Sequence, residues 1–176
     1  MSQANCLLDT GIARVCKSNA PGNVEIYIGN FSGATSYTTD ADNLITGVTS
    51  MTPVYKFEFP RNTAGFVENI QSTPVNDEIS YQQVVSMVFN KRDVAKRNLM
   101  LLLAKATTVI IIKDSNGLYT LVGKEVGCDL STGLNQSGVA TGDRNGYEFE
   151  FTTESASPAA FIEFDAFSSF IDDTQI

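Results

Sequence analysis

The stretch Ile79–Glu125, ISYQQVVSMVFNKRDVAKRNLMLLLAKATTVIIIKDSNGLYTLVGKE, reads as strand, helix, strand, turn and strand with almost no linker. Ile79, Tyr81, Val85, Met87 and Phe89 alternate with Ser80, Gln82, Ser86 and Asn90, the period of a half-buried strand. Asn90 suits a helix N-cap, and Asp93 suits a first turn, where the helix dipole favours an acid. Ala95, Leu99, Leu102, Leu103 and Ala106 recur at helical spacing. The run Thr107 to Ile112 is β-branched and stiff at χ1, so it favours a strand. Ser115-Asn116-Gly117 then turns the chain back into Leu118–Val122, because Asn-Gly tolerates the positive φ angles of a tight hairpin.

Outward from this unit the chain alternates between strands and polar segments. Residues 1–22 read as a loop-like N-terminal arm anchored by Leu7, Leu8, Ile12 and Val15. Val24–Ile28, Val54–Phe59, Phe66–Gln71, Tyr147–Phe151 and Ala159–Phe164 read as strands, with Thr73–Glu78 as a connector. Gly29–Pro53 reads as one long irregular loop, pinned by a short strand at Leu44, Ile45 and Val48. Gly127–Gly146 reads as a second polar loop, and residues 164–176 as a C-terminal arm that docks on this subunit or a neighbour. The sum is a single, mainly β domain: a β-sandwich or barrel with one packed α-helix.

Composition narrows the function. The 176 residues carry a formal net charge of −8 and no histidine. An acidic surface repels a phosphate backbone. Lack of histidine removes Ser–His–Asp and Cys–His catalysis and the commonest metal ligand. Cys6, Cys16 and Cys128 lack C-x-x-C spacing and read as reduced thiols, with a Cys6–Cys16 bridge left open. No secretory signal and no apolar run of membrane-spanning length is visible.

The possible chemical motifs are weak. Gly133 and Gly138 have phosphate-loop spacing, but Val139-Ala140 stands where Lys and Ser or Thr are needed. Asp114-x-Asn116-Gly117 and Asp143-x-Asn145-Gly146 place glycine too early for a calcium loop and read as turns. Glu148 and Glu150 share a strand face and read as a solvated face, not an acid–base pair. No cofactor or metal is expected, and no enzyme.

The charges on the helix are more informative. Lys91, Arg92, Lys96 and Arg97 cluster at its start, against the dipole, with Asp93 and Arg97 spaced as an ion pair. Leu99, Met100, Leu101, Leu102 and Leu103 point to more than one face, so one sheet cannot cover them all. Lys91, Arg92, Lys96, Arg97, Leu99, Met100, Leu102 and Leu103 are therefore the expected subunit interface, the cations facing an acidic patch on a neighbour.

The order of a strand, a basic-start helix (V-F-N-K-R-D-V-A-K-R), a β-branched strand, an N-G hairpin, a Gly/Ser loop and G-D-R-N-G-Y-E-F-E-F resembles structural proteins of tailed bacteriophages. It is closest in style to tail or ring proteins of phages infecting Bacteroidetes, over roughly Val24 to Pro158. The resemblance implies a tail-tube-like virion protein, assembled in the host cytoplasm, whose copies join sheets into rings, commonly sixfold. Stacked rings would conduct viral DNA as non-sticky cargo and meet other tail or neck proteins, with no membrane partner. It implies that Gly29–Pro53, with Asp40, Asp42, Leu44 and Ile45, is the loop between rings. An acid-lined lumen fits the charge, with Glu58, Glu68, Glu148 and Glu150 as candidates. The rival readings are a single-ring neck, stopper or terminator protein and a β-sandwich module binding carbohydrate or a host surface.

Overall fold

The computed structural model describes residues 22–59, 62–73, 78–140 and 142–173. The expected N-terminal arm, with Cys6 and Cys16, falls almost wholly outside them, as does most of the Thr73–Glu78 connector.

Among the described residues, twelve strands form two sheets. The four-stranded sheet contains β5 (Ala64–Thr73), β6 (Glu78–Asn90), β9 (Asp129–Gln136) and β10 (Gly146–Ser155) in the order β5-β6-β10-β9. The eight-stranded sheet contains β1 (Asn23–Asn30), β2 (Ser36–Thr39), β3 (Ile45–Thr49), β4 (Val54–Phe57), β7 (Thr108–Asp114), β8 (Tyr119–Val122), β11 (Ala160–Ile162) and β12 (Ile171–Asp172). Its order is β12-β4-β1-β7-β8-β11-β3-β2, and it curls into a half-barrel. The β11–β3 and β12–β4 pairs are parallel; every other pair is antiparallel.

The central strands β1 and β7 are buried on both faces. Ile26, Ile28, Ile110 and Ile112 enter the core between the sheets, with Met87, Phe89, Phe149 and Phe151 opposite. Tyr27, Val109 and Ile111 enter a second core inside the curl, with Ile45, Leu121 and Phe167. Two buried faces explain why this strand reads as an unbroken β-branched run and not as an alternation. Each fully buried isoleucine there contributes about 1.5–3 kcal/mol.

The sheets cross steeply. Asn23, at the start of β1, donates its side-chain amide to the Ala64 carbonyl at the β5 edge (3.3 Å). The far end of β1 pairs with Thr108, which bridges to Cys128 just before β9. So β1 spans the four-stranded sheet from one edge to the other, the arrangement of orthogonal sheet packing. Along β6, β4 lies at the Asn90 end, where the Phe57 and Phe89 rings meet at 5.9 Å. β8 lies further down, where Gly123 N–H donates to Gln83 Oε1 (3.4 Å). The start of β11 lies at the same level, where Ala159 N–H donates to Glu68 Oε2 (2.6 Å), Glu68 being the β5 partner of Gln83.

The helix α1 (Val94–Leu103) starts later than Asn90 implies. Asp93 is the N-cap, in extended conformation, and its carboxylate accepts from Lys96 N–H (2.9 Å). Asn90 instead ends β6, opposite Gly146, and Lys91 turns the chain with φ 65°. The described ion pair of Asp93 is with Lys96 at 3.9 Å, not with Arg97.

Two polar segments are more ordered than their composition implies. Gly29–Pro53 is mostly the β2–β3 hairpin, with β2 at a solvent-exposed sheet edge and Ile45 its fully buried residue. Gly127–Gly146 contains β9, so Gly133 lies in a strand and not in a phosphate-binding loop. The C-terminal arm docks on its own subunit. A short helix, α2 (Phe164–Phe167), buries Phe167 against Tyr27 and Tyr119, and β12 then pairs with β4.

Candidate assembly surfaces

The outer face of the four-stranded sheet carries three glutamates, with exposed Val67 and Leu134 on its outer strands. Tyr147, Phe149 and Phe151 of β10 turn inward, which sends Glu148 and Glu150 outward by strand alternation. Opposite them stand Val88 and Ser86 of β6 and Leu134 and Thr132 of β9. Glu148 accepts from Arg144 at 2.6 Å, and Glu150 from the Ser131 hydroxyl at 3.2 Å.

The other two lumen candidates do not join them. Glu68 pairs with Gln83 on the inner face of the sheet and accepts from Ala159. Glu58 follows β4 in the other sheet and lies 3.7 Å from Lys56. Only Glu148 and Glu150 share a face, and the exposed Glu154 extends it.

Both edges of this sheet are open among the described residues: β5, ten residues long, and β9, eight residues long. Its four strands alternate in direction, so β5 and β9 are themselves antiparallel. A β9 edge laid beside the β5 edge of a second copy would continue the antiparallel alternation. Long open edges otherwise invite disordered pairing.

The helix has two apolar sides. Met100 and Leu103 are buried in the core, and Leu99 packs against it. Leu102 (66% exposed), Leu101 and Val94 face outward. Leu102 is thus free for a partner, whereas Met100 and Leu103 belong to the subunit's own core. Lys96 is also committed locally: its ammonium donates to the carbonyls of Asn90 (3.1 Å) and Lys91 (3.4 Å). That is its reason for standing near a helix N-terminus. Lys91, Arg92, Arg97 and Lys105 are exposed and make no ion pair among the described residues. A groove of about 540 Å³ runs between α1 and the β1–β4 pair, lined by Phe57, Phe89, Leu99 and Leu102 among others.

The expected inter-ring residues separate. Asp40 and Asp42 lie exposed at the β2–β3 turn. Asp40 Oδ1 accepts from the N–H groups of Asp42 and Leu44, both at 2.9 Å, which holds the turn tight. Leu44 is half-buried, and Ile45 is fully buried beside Ile162, so Ile45 cannot contact another ring in this fold.

The aspartates that faintly resemble calcium ligands serve as turn caps. Asp114 accepts from Asn116 and Leu118 N–H groups, and only Gly117 in that turn takes positive φ (86°). Asp143 accepts from Ala140 and Val139 N–H groups at 2.8 Å, which holds its carboxyl below its ordinary value. Carboxylates occupied by backbone donors stabilise turns without a cation.

β9 is too polar to read as a strand from the sequence, so the β9 edge is not legible there, whereas Phe66–Gln71 already reads as a strand within β5. The outward alternation of Glu148 and Glu150 is legible in the sequence, as is the exposed apolar and basic side of the helix. Together these features define a crossed-sheet β protein with a polar, open-edged sheet and a cationic, apolar helix. Comparison with protein-family models, curated proteins and solved structures returns no match. No helix among the described residues is long and apolar enough to cross a membrane.

Proposed function

We propose that this chain is a non-enzymatic virion structural protein whose copies assemble into stacked rings, forming a phage tail tube through which DNA passes. One observation carries the reading: a four-stranded antiparallel sheet with both edges open among the described residues and Glu148, Glu150 and Glu154 on its outer face. Head-to-tail joining of β9 to β5 in successive copies makes a heterologous contact, and such contacts close into rings when the rotation between copies allows. The outer face then turns inward around the hole. Its carboxylates repel DNA phosphates and offer no adhesive sites, so the cargo slides. The mechanism is assembly and passive conduction.

Negative-stain microscopy of the purified protein tests this. Rings or tubes with a central channel are expected. A protein that stays monomeric at high concentration would overturn the proposal, and rings that never stack would favour a neck, stopper or terminator protein instead.

A further inference from the structure

Two exposed apolar surfaces among the described residues lie at opposite ends of the longest strand, β6. β6 spans about 40 Å at ~3.3 Å per residue. One end passes into α1. At the other end, β6 and β5 continue past the last β10 partner, Tyr81, as a two-stranded arm. Ile70, Tyr81 and Ile79 share the inner face of this arm, because Ile70 opposes Tyr81 and Ile79 opposes Ser72. Within one subunit that face is poorly covered: Ile70 is 69% exposed and Ile79 54%. Glu68 lies two residues before Ile70 on the same face, so the bond from Ala159 to Glu68 brings the start of β11 to the base of the arm, and Phe161, two residues further on, is 47% exposed.

At the α1 end, Val94 and Leu101 are one heptad apart, so they form one outward stripe with Leu102 beside it. Arg97 and Lys105 flank that stripe, whereas exposed Glu163 follows Phe161 at the end of β11 and exposed Glu154 stands at the base of the arm, on the opposite face of the sheet. The two ends therefore match in apolar character and oppose in charge.

We infer that copies of this chain dock end to end along β6, the Ile70–Ile79–Phe161 patch of one copy seating on the Val94–Leu101–Leu102 stripe of the next. This rests on the reading that the chain assembles with itself, and it assigns the contact between rings to the β5–β6 arm and α1. The contact is heterologous and directed along the strand, so it propagates as a stack. Edge joining runs across the strands, so the two contacts together extend a surface in two directions. Apolar contact supplies affinity, and the opposed charges set register and the rate of encounter.

Photo-crosslinking tests the contact. With p-benzoyl-phenylalanine in place of Leu102 in the full chain, intermolecular products mapped by mass spectrometry are expected on peptides carrying Ile70, Ile79 or Phe161. Tubes whose crosslinks fall elsewhere, including on the segment before Gly22, overturn the inference and leave the tube intact. Solid stacks without a channel, crosslinked at the stated patch, uphold it and overturn the tube. Monomers with no intermolecular product overturn both. As a second arm, Arg97→Glu with Lys105→Glu is expected to shorten stacks at least tenfold, and Glu154→Lys with Glu163→Lys in the same chain to restore them. Unchanged stack length in the first variant, or no restoration in the second, counts against the charge pairing.

Discussion

Glu25 shows how one residue ties the curled sheet together. Its carboxylate accepts from the Tyr27 hydroxyl (3.0 Å) and meets Lys56 (3.5 Å) and Lys113 (3.4 Å), so it joins β1 to both neighbouring strands. Burial works to raise its carboxyl, but the Tyr27 hydroxyl and the two lysines outweigh that and hold it below its ordinary value. A depressed carboxyl stabilises the fold above the unfolded carboxylate range, ~4.3, and loses that contribution as pH falls through the lower folded value. Glu25→Gln should therefore cost about 1–2 kcal/mol near neutral pH, with the gap to wild type closing as the solution is acidified. Urea melts of both proteins across that range measure it; a gap independent of pH would show that charge is not the cause. Cys128 makes a second case. Burial, with the Asp129 charge adding to it, pushes its thiol up to about 12. The thiolate is the reactive form, so alkylation at Cys128 should be negligible in the folded protein and rapid in denaturant, as peptide mass spectrometry after iodoacetamide would record.

At the scale of elements, α1 depends on its cap. Asp93 is the helix's side-chain cap, and Asp93→Ala should cost about 1 kcal/mol and fray the turn that carries Val94 and Arg97. Hydrogen exchange at Lys96 and Arg97 should rise while that of β6 stays unchanged. Gly146 sets a stricter limit. A Cβ there would run into the Phe89 carbonyl oxygen, part of the backbone pairing of β10 with β6. Gly146→Ala should cost about 1–3 kcal/mol in thermal melts, since backbone on both sides must move. The order β6, α1, β7, β8 was legible because each part announces its own period: alternation, helical spacing, then a β-branched run. What hid the rest was context. The β2–β3 hairpin carries one fully buried residue, Ile45, so its composition reads as loop. The N-cap shifted from Asn90 to Asp93 because Asn90 is paired opposite Gly146, a contact 56 residues away that local propensity cannot reveal.

For the whole molecule, crossing of the sheets decides which surfaces remain for partners. β1 runs from the β5 edge to the β9 edge and supports the four-stranded sheet from beneath. Its outer face and both edges stay uncovered among the described residues, and of the four carboxylates expected to line a lumen only Glu148 and Glu150 lie there. If that face lines a channel, its charge should govern whether DNA sticks. Wild-type tubes, incubated with short duplex DNA at low salt, should retain none after nuclease digestion, because phosphates meet like charge. Tubes of Glu148→Lys with Glu150→Lys place two cations per subunit on the same wall. They should hold nuclease-protected DNA and release it as salt rises, since each phosphate contact displaces a condensed counterion. Reversal also removes the Glu148 partner of Arg144, an exposed pair worth at most about 1 kcal/mol, so the subunit should still fold and assemble. DNA bound by the variant but digested as readily as free DNA would place these carboxylates on the outside of the tube, and the edge-joined channel would then have to be built from the opposite face.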